Sequence, residues 1–451
     1  MAKTKVAYVC SACGANHSSW AGKCSICGAW NTLEQQVDLR GGTKTEQALA
    51  SGNVLKPVSV DKKTVGSTNR LSLGIRDVDE VLGGGIVPAS VVLIAGQPGI
   101  GKSTLLLQLA YNAAKHTQVL YVSGEESPEQ VSLRGQRLGA LADNLHIVSS
   151  TSANDIAATI ATDKYDLVIV DSIQTIAAAE ITGVPGSVSQ VTNSTQLLTT
   201  AAKQAKTALI LVGHVTKEGS IAGPKVLEHA VDVVLQLEGD RYGGFRVLRC
   251  IKNRFGSTNE AAILEMVDTG LKVVDNPSAA LLAERQLSDG SIVLATLEGT
   301  RPILVEVQAL VNTTNYGYPK RAATGIDVNR LNLLIAMLER RTKLKLADKD
   351  IYINIVGGMK ITEPAADLAI CMAIASASKG MQLKKDAVVF GEVGLSGEIR
   401  HVPWADKRIA EAKKLGFTDA IGPRIRGSKV PKELHQMADV RSALNSFLSK
   451  E

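Results

Sequence analysis

The segment Gly96-Gln97-Pro98-Gly99-Ile100-Gly101-Lys102-Ser103 constrains this chain more than any other. It fits the pattern G-x-x-x-x-G-K-[ST] in full, after the apolar run VVLIA and before the helix-like run TLLLQLAYNAAK. Strand, glycine-rich turn and helix in that order make a phosphate cradle. The glycines let backbone N–H groups curl toward phosphate, and the helix N-terminus adds positive potential. Gly96 to Thr104 is the expected ATP-binding segment. Lys102 is expected on the β- and γ-phosphates and Ser103 on Mg²⁺.

Such a loop needs a sheet to hold it. Short β-branched runs alternate with helical stretches from Leu71 to about Val274. Ser90–Ala95, Val119–Val122, Leu167–Val170, Ala208–Val212 and Val231–Leu237 read as buried strands, which predicts an α/β fold with a largely parallel sheet. Three of these runs end in polar groups. Leu167–Val170 runs into Asp171, the expected second holder of Mg²⁺. Val119–Val122 leads to Glu125 and Glu126, either of which could orient an attacking water, with Glu125 preferred. Ala208–Val212 leads to His214, a candidate γ-phosphate sensor or a structural histidine.

Four of the six cysteines fall within residues 1–33, as Cys10-x2-Cys13 and Cys24-x2-Cys27 separated by ten residues. Two such knuckles can surround one Zn²⁺ with four thiolates. Gly14 and Gly28 follow the knuckles and suit their turns. Trp20 and Trp30 are expected to pack the small core of this module. Cys250 and Cys371 sit singly among apolar residues and read as buried, inert thiols.

The chain divides into residues 1–33 (zinc finger), 34–65 (polar linker), 66–276 (nucleotide-binding core) and 285–451 (a further α/β domain), with Pro277 near the second boundary. In the last, Ile292–Thr296 and Ile303–Leu310 alternate like strands, and Asn329–Arg341 has helical spacing. Hydrophobic residues make up 45% and charged residues 21%, the balance of a soluble globular protein. The N-terminus lacks a signal-peptide core and no run approaches a membrane span, so a cytoplasmic protein without membrane contact is expected. A net charge of +6 permits nucleic-acid binding without requiring it.

Two further segments carry a resemblance. Leu73-Gly-Ile-Arg-Asp-Val-Asp-Glu-Val-Leu-Gly-Gly-Gly85-Ile86 resembles the entry to RecA-like ATPase cores, and Lys252-Asn-Arg-Phe-Gly256 resembles the signature of the bacterial RadA (Sms) DNA repair family. The order of zinc finger, RecA-like core and Lon-protease-like domain is similar too. The resemblance implies a hexameric ring that moves on single-stranded and branched DNA as a helicase, alongside the RecA recombinase. The alternative is a RecA-like strand-pairing protein using ATP as a switch. It also implies that Lys252 and Arg254 complete a neighbouring subunit's ATP site. Glu180–Ser194 and Lys217–Glu228 correspond to DNA-facing loops. They hold Lys217 and Lys225 but no aromatic residue.

Residues from about 285 resemble the Lon proteolytic domain, in Val356–Asp367 and Phe390–Pro403. Ala365 then stands at the catalytic serine position, and the lysine position falls near Lys407 and Arg408, with Arg408 the better match. Alanine has no nucleophile and arginine does not serve as a base, so no peptidase activity is expected. Lys320, Arg321, Arg330, Arg340, Arg341, Lys343 and Lys345 are candidates for DNA contact or an ordinary charged surface.

Overall fold

The structure is a computed structural model that describes residues 7–10, 15–17, 19–36, 70–162, 164–214, 226–239, 245–314, 317–425 and 430–449. Cys13, Gly14, Lys217 and Lys225 lie outside them, with nearly all of the 34–65 linker. The chain forms two compact units, Met1–Ser67 and Thr68–Glu451.

In the first unit β1 (Ala7–Cys10) pairs antiparallel with both β2 (Asn16–His17) and β3 (Leu33–Gln36). Its small core contains Cys10, Cys24 and Leu33, with Tyr8 and Ala15 against them.

The second unit is built on two large sheets. The first contains β4 (Val91–Gly96), β5 (Val119–Ser123), β6 (Leu145–Ser149), β7 (Leu167–Asp171), β8 (Ala208–His214), β9 (Val233–Gly239), β10 (Phe245–Asn253), β11 (Ala261–Val267) and β12 (Gly270–Val273), in the order β12-β11-β10-β9-β4-β8-β7-β5-β6. From β9 to β6 every pairing is parallel. The strands β10, β11 and β12 extend the sheet antiparallel. All residues of β4 and β5 are buried, as continuous apolar runs covered by helices on both faces require. The edge strand β6, LHIVS, is mostly exposed or half-buried. It has no apolar run to betray it, and sequence reading passed over it.

The second sheet contains β13 (Ser291–Glu298), β14 (Arg301–Thr313), β15 (Arg321–Thr324), β16 (Lys349–Ile355), β18 (Ala387–Val389), β21 (Asp419–Pro423) and β22 (Leu434–Met437), in the order β15-β16-β14-β13-β18-β21-β22. Two short pairs accompany it, β17 (Gln382–Leu383) with β23 (Leu448–Ser449) and β19 (Glu392–Val393) with β20 (Ile399–Arg400). The expected helix spans Val328–Thr342; Asp327 caps it, and Leu331, Leu334, Ile335 and Leu338 are buried. The apolar stretch near Ala365 becomes the helix Asp367–Lys379, buried from Asp367 through Ser376. Among the described residues no helix is long and apolar enough to cross a membrane.

The β13–β14 turn locks the two sheets together. Arg249 on β10 donates from Nε and Nη2 to the Glu298 carboxylate, both at 2.8 Å. Arg301 Nη1 lies 3.0 Å from Asp77 Oδ2, and Thr300 Oγ1 donates to Glu260 at 3.0 Å. Gly299 sits at the tip with φ +64°, where a Cβ would lie 1.8 Å from the Asn259 carbonyl oxygen. Only glycine permits that approach.

Candidate nucleotide-binding site

Parallel register assembles the site. Gly96 pairs with His214, Val170 with Leu211, and Asp171 with Ser123. The P-loop, His214, Asp171 and the Glu125 turn therefore share the carboxyl edge of the sheet, one strand spacing of ~4.8 Å after another. The helix Lys102–Ala114 starts at Gly101, whose φ of 112° is left-handed, and no side chain caps it. The P-loop helix thus keeps its first N–H groups for a ligand.

Lys102 is only 5% exposed, and neutral acceptors satisfy its ammonium. It donates to the carbonyl oxygens of Gly96 (2.8 Å) and Gln97 (3.0 Å) and to His214 Nδ1 (3.0 Å). Desolvation pulls its pKa down to about 8, against the opposing fields of Asp171 and Glu125. The His214 pKa is lowered by burial and by the Lys102 charge. The far ring nitrogen of His214 lies 4.0 Å from Glu125 Oε1, and that oxygen accepts from Ser172 Oγ at 2.9 Å. Asp171 Oδ2 accepts from Tyr121 Oη at 2.7 Å. Burial and the Asp171 charge push the Tyr121 pKa well above its usual value, so Tyr121 remains a proton donor.

A cavity of about 830 Å³ opens here, lined by Pro98, Gly99 and Gly101–Thr104 together with Glu125 and His214. Its volume suits a nucleotide. The two acids of the β5 turn part company: Glu125 lines the cavity, whereas the Glu126 carboxylate is ion-paired with Arg134. Sequence reading missed Arg134, Arg137 and Leu138 on one wall and the β11–β12 turn, Met266–Asp268 and Gly270, on the other. The capping box Ser127-Pro-Glu-Gln130 marked the helix that carries Arg134 and Arg137. Nothing local marked the β11–β12 turn. It is held by Gln108, which accepts from Leu271 N (2.9 Å) and donates to Leu271 O (3.2 Å).

Lys252 and Arg254 do not join this cavity. Asn253 pairs with Val233 and Gly96 with Leu237, so they lie about four residues, roughly 13 Å, back toward the opposite sheet edge. Lys252 Nζ donates to the carbonyl oxygens of Glu228 (2.6 Å) and Val231 (2.8 Å); Arg254 pairs with Asp232 at 3.2 Å. The two family-like segments meet there. Asn253 Nδ2 donates to Leu82 O at 3.3 Å, and Arg70 bridges Leu82, Gly85 and Phe255 carbonyls. Of the two expected loops, 180–194 is partly helical, since a helix spans Val188–Ala205. Buried Gln190 pins the remaining loop through Ala178, Ile181 and Gly183. Residues 215–225 of the other lie outside the described residues.

In the first unit the Sγ atoms of Cys10, Cys24 and Cys27 lie within 4.8 Å of one another. Backbone N–H groups of Cys27 and Ile26 lower the Cys24 pKa to about 5, which favours the thiolate a metal needs. Three converging sulfurs fit three corners of a tetrahedral Zn²⁺ site. Gly28 has the expected left-handed φ, 73°. The expectation for the tryptophans is overturned: Trp20 is 59% and Trp30 70% exposed. The knuckle is too small to enclose an indole beside its cysteines. Cys250 and Cys371 are buried, and burial raises the Cys250 pKa to about 11 and that of Cys371 well above its usual value.

In the second sheet Ala365 is buried. Arg408, wholly buried, is ion-paired with Glu363 and donates to Ala295 O at 2.7 Å. Glu363 also accepts from Thr296 Oγ1 (2.9 Å) and Leu297 N (3.0 Å). Lys407 instead lies over the Trp404 ring, 4.3 Å from its centroid. Arg330, proposed for DNA contact from sequence, is bound to the buried carboxylate of Asp367.

A P-loop on a parallel sheet, with acids at neighbouring strand ends and a zinc ribbon ahead of it, defines a RecA-like ATPase fold. Family models agree: an AAA domain matches residues 65–220, a rubredoxin metal binding domain residues 8–35, and subunit ChlI of Mg-chelatase residues 326–425. The chain is 44% identical to the DNA repair protein RadA of Halalkalibacterium halodurans over 100% of both chains. It is 46% identical to that of Bacillus subtilis, over 99% of this chain and 100% of the other, and 45% identical to that of Escherichia coli, over 96% and 95%. A solved RadB recombinase aligns with 46% of this chain and 100% of its own at 23% identity, with a TM-score of 0.37. The chain belongs to the DNA repair protein RadA family.

Proposed function

We propose that this protein is a DNA-dependent ATPase that translocates on single-stranded DNA and remodels branched recombination intermediates. The observation that carries the reading is a cavity lined by Lys102, Glu125 and His214, with Asp171 at the same carboxyl edge of the sheet by strand register. Bound phosphates would replace the carbonyl and imidazole acceptors of Lys102. Ser103 and Asp171 would hold Mg²⁺, which supplies charge neutralisation at the phosphates. Glu125 would orient the attacking water, and its position on the cavity favours it over Glu126. His214 would exchange Lys102 for the γ-phosphate.

Arg134 and Arg137 line the cavity from the same chain, and a neighbouring subunit would add further cations. Lys252 and Arg254 lie toward the far sheet edge, which favours their service to a neighbouring subunit and hence a ring, read as a hexamer. Mixing inactive Lys102→Ala and Arg254→Ala proteins should restore part of the ATPase, because some interfaces then combine two intact halves. The Lon-like domain is read as a scaffold without peptidase activity, and RecA as a working partner in the cytoplasm.

The first test is the ATPase rate of wild type and Lys102→Ala, with and without single-stranded DNA. Stimulation by DNA that vanishes in the variant supports the motor; an ATPase indifferent to DNA sinks it. Unwinding of a forked duplex separates a translocase from a strand-pairing protein that uses ATP as a switch.

A further inference from the structure

The zinc ribbon exposes both of its tryptophans. Trp20 is 59% and Trp30 70% exposed, and Ile26, between the knuckle cysteines, is 72% exposed. Leaving an indole in water forgoes apolar burial of roughly 1.5–3 kcal/mol or more. A local hairpin fixes Trp30. Lys23 and Trp30 form an antiparallel bridge, and Asn31 N donates to Gly22 O at 2.9 Å. Cys24 N donates to Ala29 O, also at 2.9 Å. The ring stands beside Gly22, where a Cβ would come within 3.9 Å of it, and Lys23 Nζ lies 5.5 Å from the ring centroid. The knuckle cysteines thus anchor a hairpin that presents the Trp30 ring with an ammonium over one of its faces.

Charge and chemistry choose the occupant. Residues 1–36, which include all of β3, contain Lys3, Lys5 and Lys23 against one acid, Glu34. Such a surface suits a phosphate chain. The two stretches assigned to grip DNA in the ATPase core, 180–194 and 217–228, contain no aromatic residue. They can hold phosphates, but they supply no stacking surface for bases. Proteins that hold single strands without sequence preference combine a basic track with aromatic platforms.

We propose that the zinc ribbon stacks unpaired DNA bases on Trp30, with Trp20 a second platform and Lys23 holding the adjoining phosphate. The inference rests on the DNA-motor reading and adds a division of labour to it. The ATPase core pulls on the backbone, and the ribbon recognises that the bases are unpaired. Duplex DNA hides its base faces, so the ribbon would discriminate against it.

The test uses the full chain in a Trp404→Phe background, so that only Trp20 and Trp30 fluoresce. Oligo(dT) should quench the emission, and an abasic oligomer of equal length should not. Trp30→Ala should weaken oligo(dT) binding on the order of 5- to 100-fold, the range for loss of one stacked base, and leave abasic binding unchanged. Trp30→Phe should recover most of the loss, and Lys23→Ala should flatten the salt dependence. Zinc content and DNA-free ATPase rate report whether each variant is folded. If Trp30→Ala loses zinc, the comparison of oligo(dT) with the abasic strand on the Trp404→Phe protein decides instead. Equal binding of the two strands, or full oligo(dT) affinity in folded Trp30→Ala, overturns the proposal. Full DNA affinity with loss of a protein partner would make the platform a protein-docking surface and overturn it as well. If the parent protein binds no oligo(dT), the motor reading itself fails, which is a different result from a motor that ignores Trp30.

Discussion

Lys102 and Arg408 are both buried cations, yet their surroundings differ in kind. Lys102 is held by two carbonyls and a neutral imidazole, and desolvation lowers its pKa to about 8. Arg408 is closed by the Glu363 carboxylate, which is itself saturated by Thr296 and Leu297. Neutral acceptors can be exchanged for phosphate at small cost. The Glu363 carboxylate cannot be removed without stranding the buried Arg408 charge. The first arrangement is open to exchange with an anion; the second is a structural strut.

The largest expected effect tests the open side of this comparison. Glu125→Gln should keep ATP affinity and lower turnover by roughly 10²- to 10⁴-fold, the usual share of a positioned base. Glu126→Gln, which loosens only the Arg134 pair, should change turnover far less. Equal losses measured by steady-state ATPase would erase the distinction between the two acids.

On the closed side, Glu363→Gln leaves buried Arg408 without its counter-charge and should cost about 3–5 kcal/mol in stability. Denaturant unfolding would read it, and a change within a few tenths of a kcal/mol would mean that the pair is not a strut. Arg408→Met with Glu363→Gln removes both charges and should recover part of the loss.

The Lys102 pKa gives a smaller, graded effect. Its lowered value means that the ligand-free protein loses this charge above about pH 8. Phosphates favour the charged form, so binding must then take up a proton. ATP affinity should be flat below pH 8 and fall above it, by at most about tenfold per unit for one linked proton. Lys102→Arg, which does not titrate in this range, should lose that slope. Calorimetry across pH 7–10 measures both.

The smallest expected effect is none. Ala365→Ser supplies a hydroxyl while Arg408 remains paired with Glu363, so no peptide cleavage should appear with a fluorogenic substrate. Cleavage above the wild-type background would show that the second site is less closed than its hydrogen bonds imply.

Sequence alone determined what local chemistry can determine. The P-loop announced its own strand, turn and helix, because phosphate binding needs glycines and lysine at fixed spacing. Buried parallel strands appeared as continuous apolar runs, and the knuckle cysteines declared a metal site by their separation. Tertiary structure decided which groups meet. Gly96 lies 118 residues before His214, and only strand register makes them neighbours. Glu125 and Glu126 are chemically identical in sequence, and they part only because Arg134 reaches one of them. Arg330 read as a surface charge until Asp367 proved to be buried beneath it. The tryptophans of the zinc ribbon read as core until the knuckle proved too small to cover them. Spacing encodes contacts within a turn or a strand, but burial and long-range pairing depend on how whole elements pack, and no single segment carries that information.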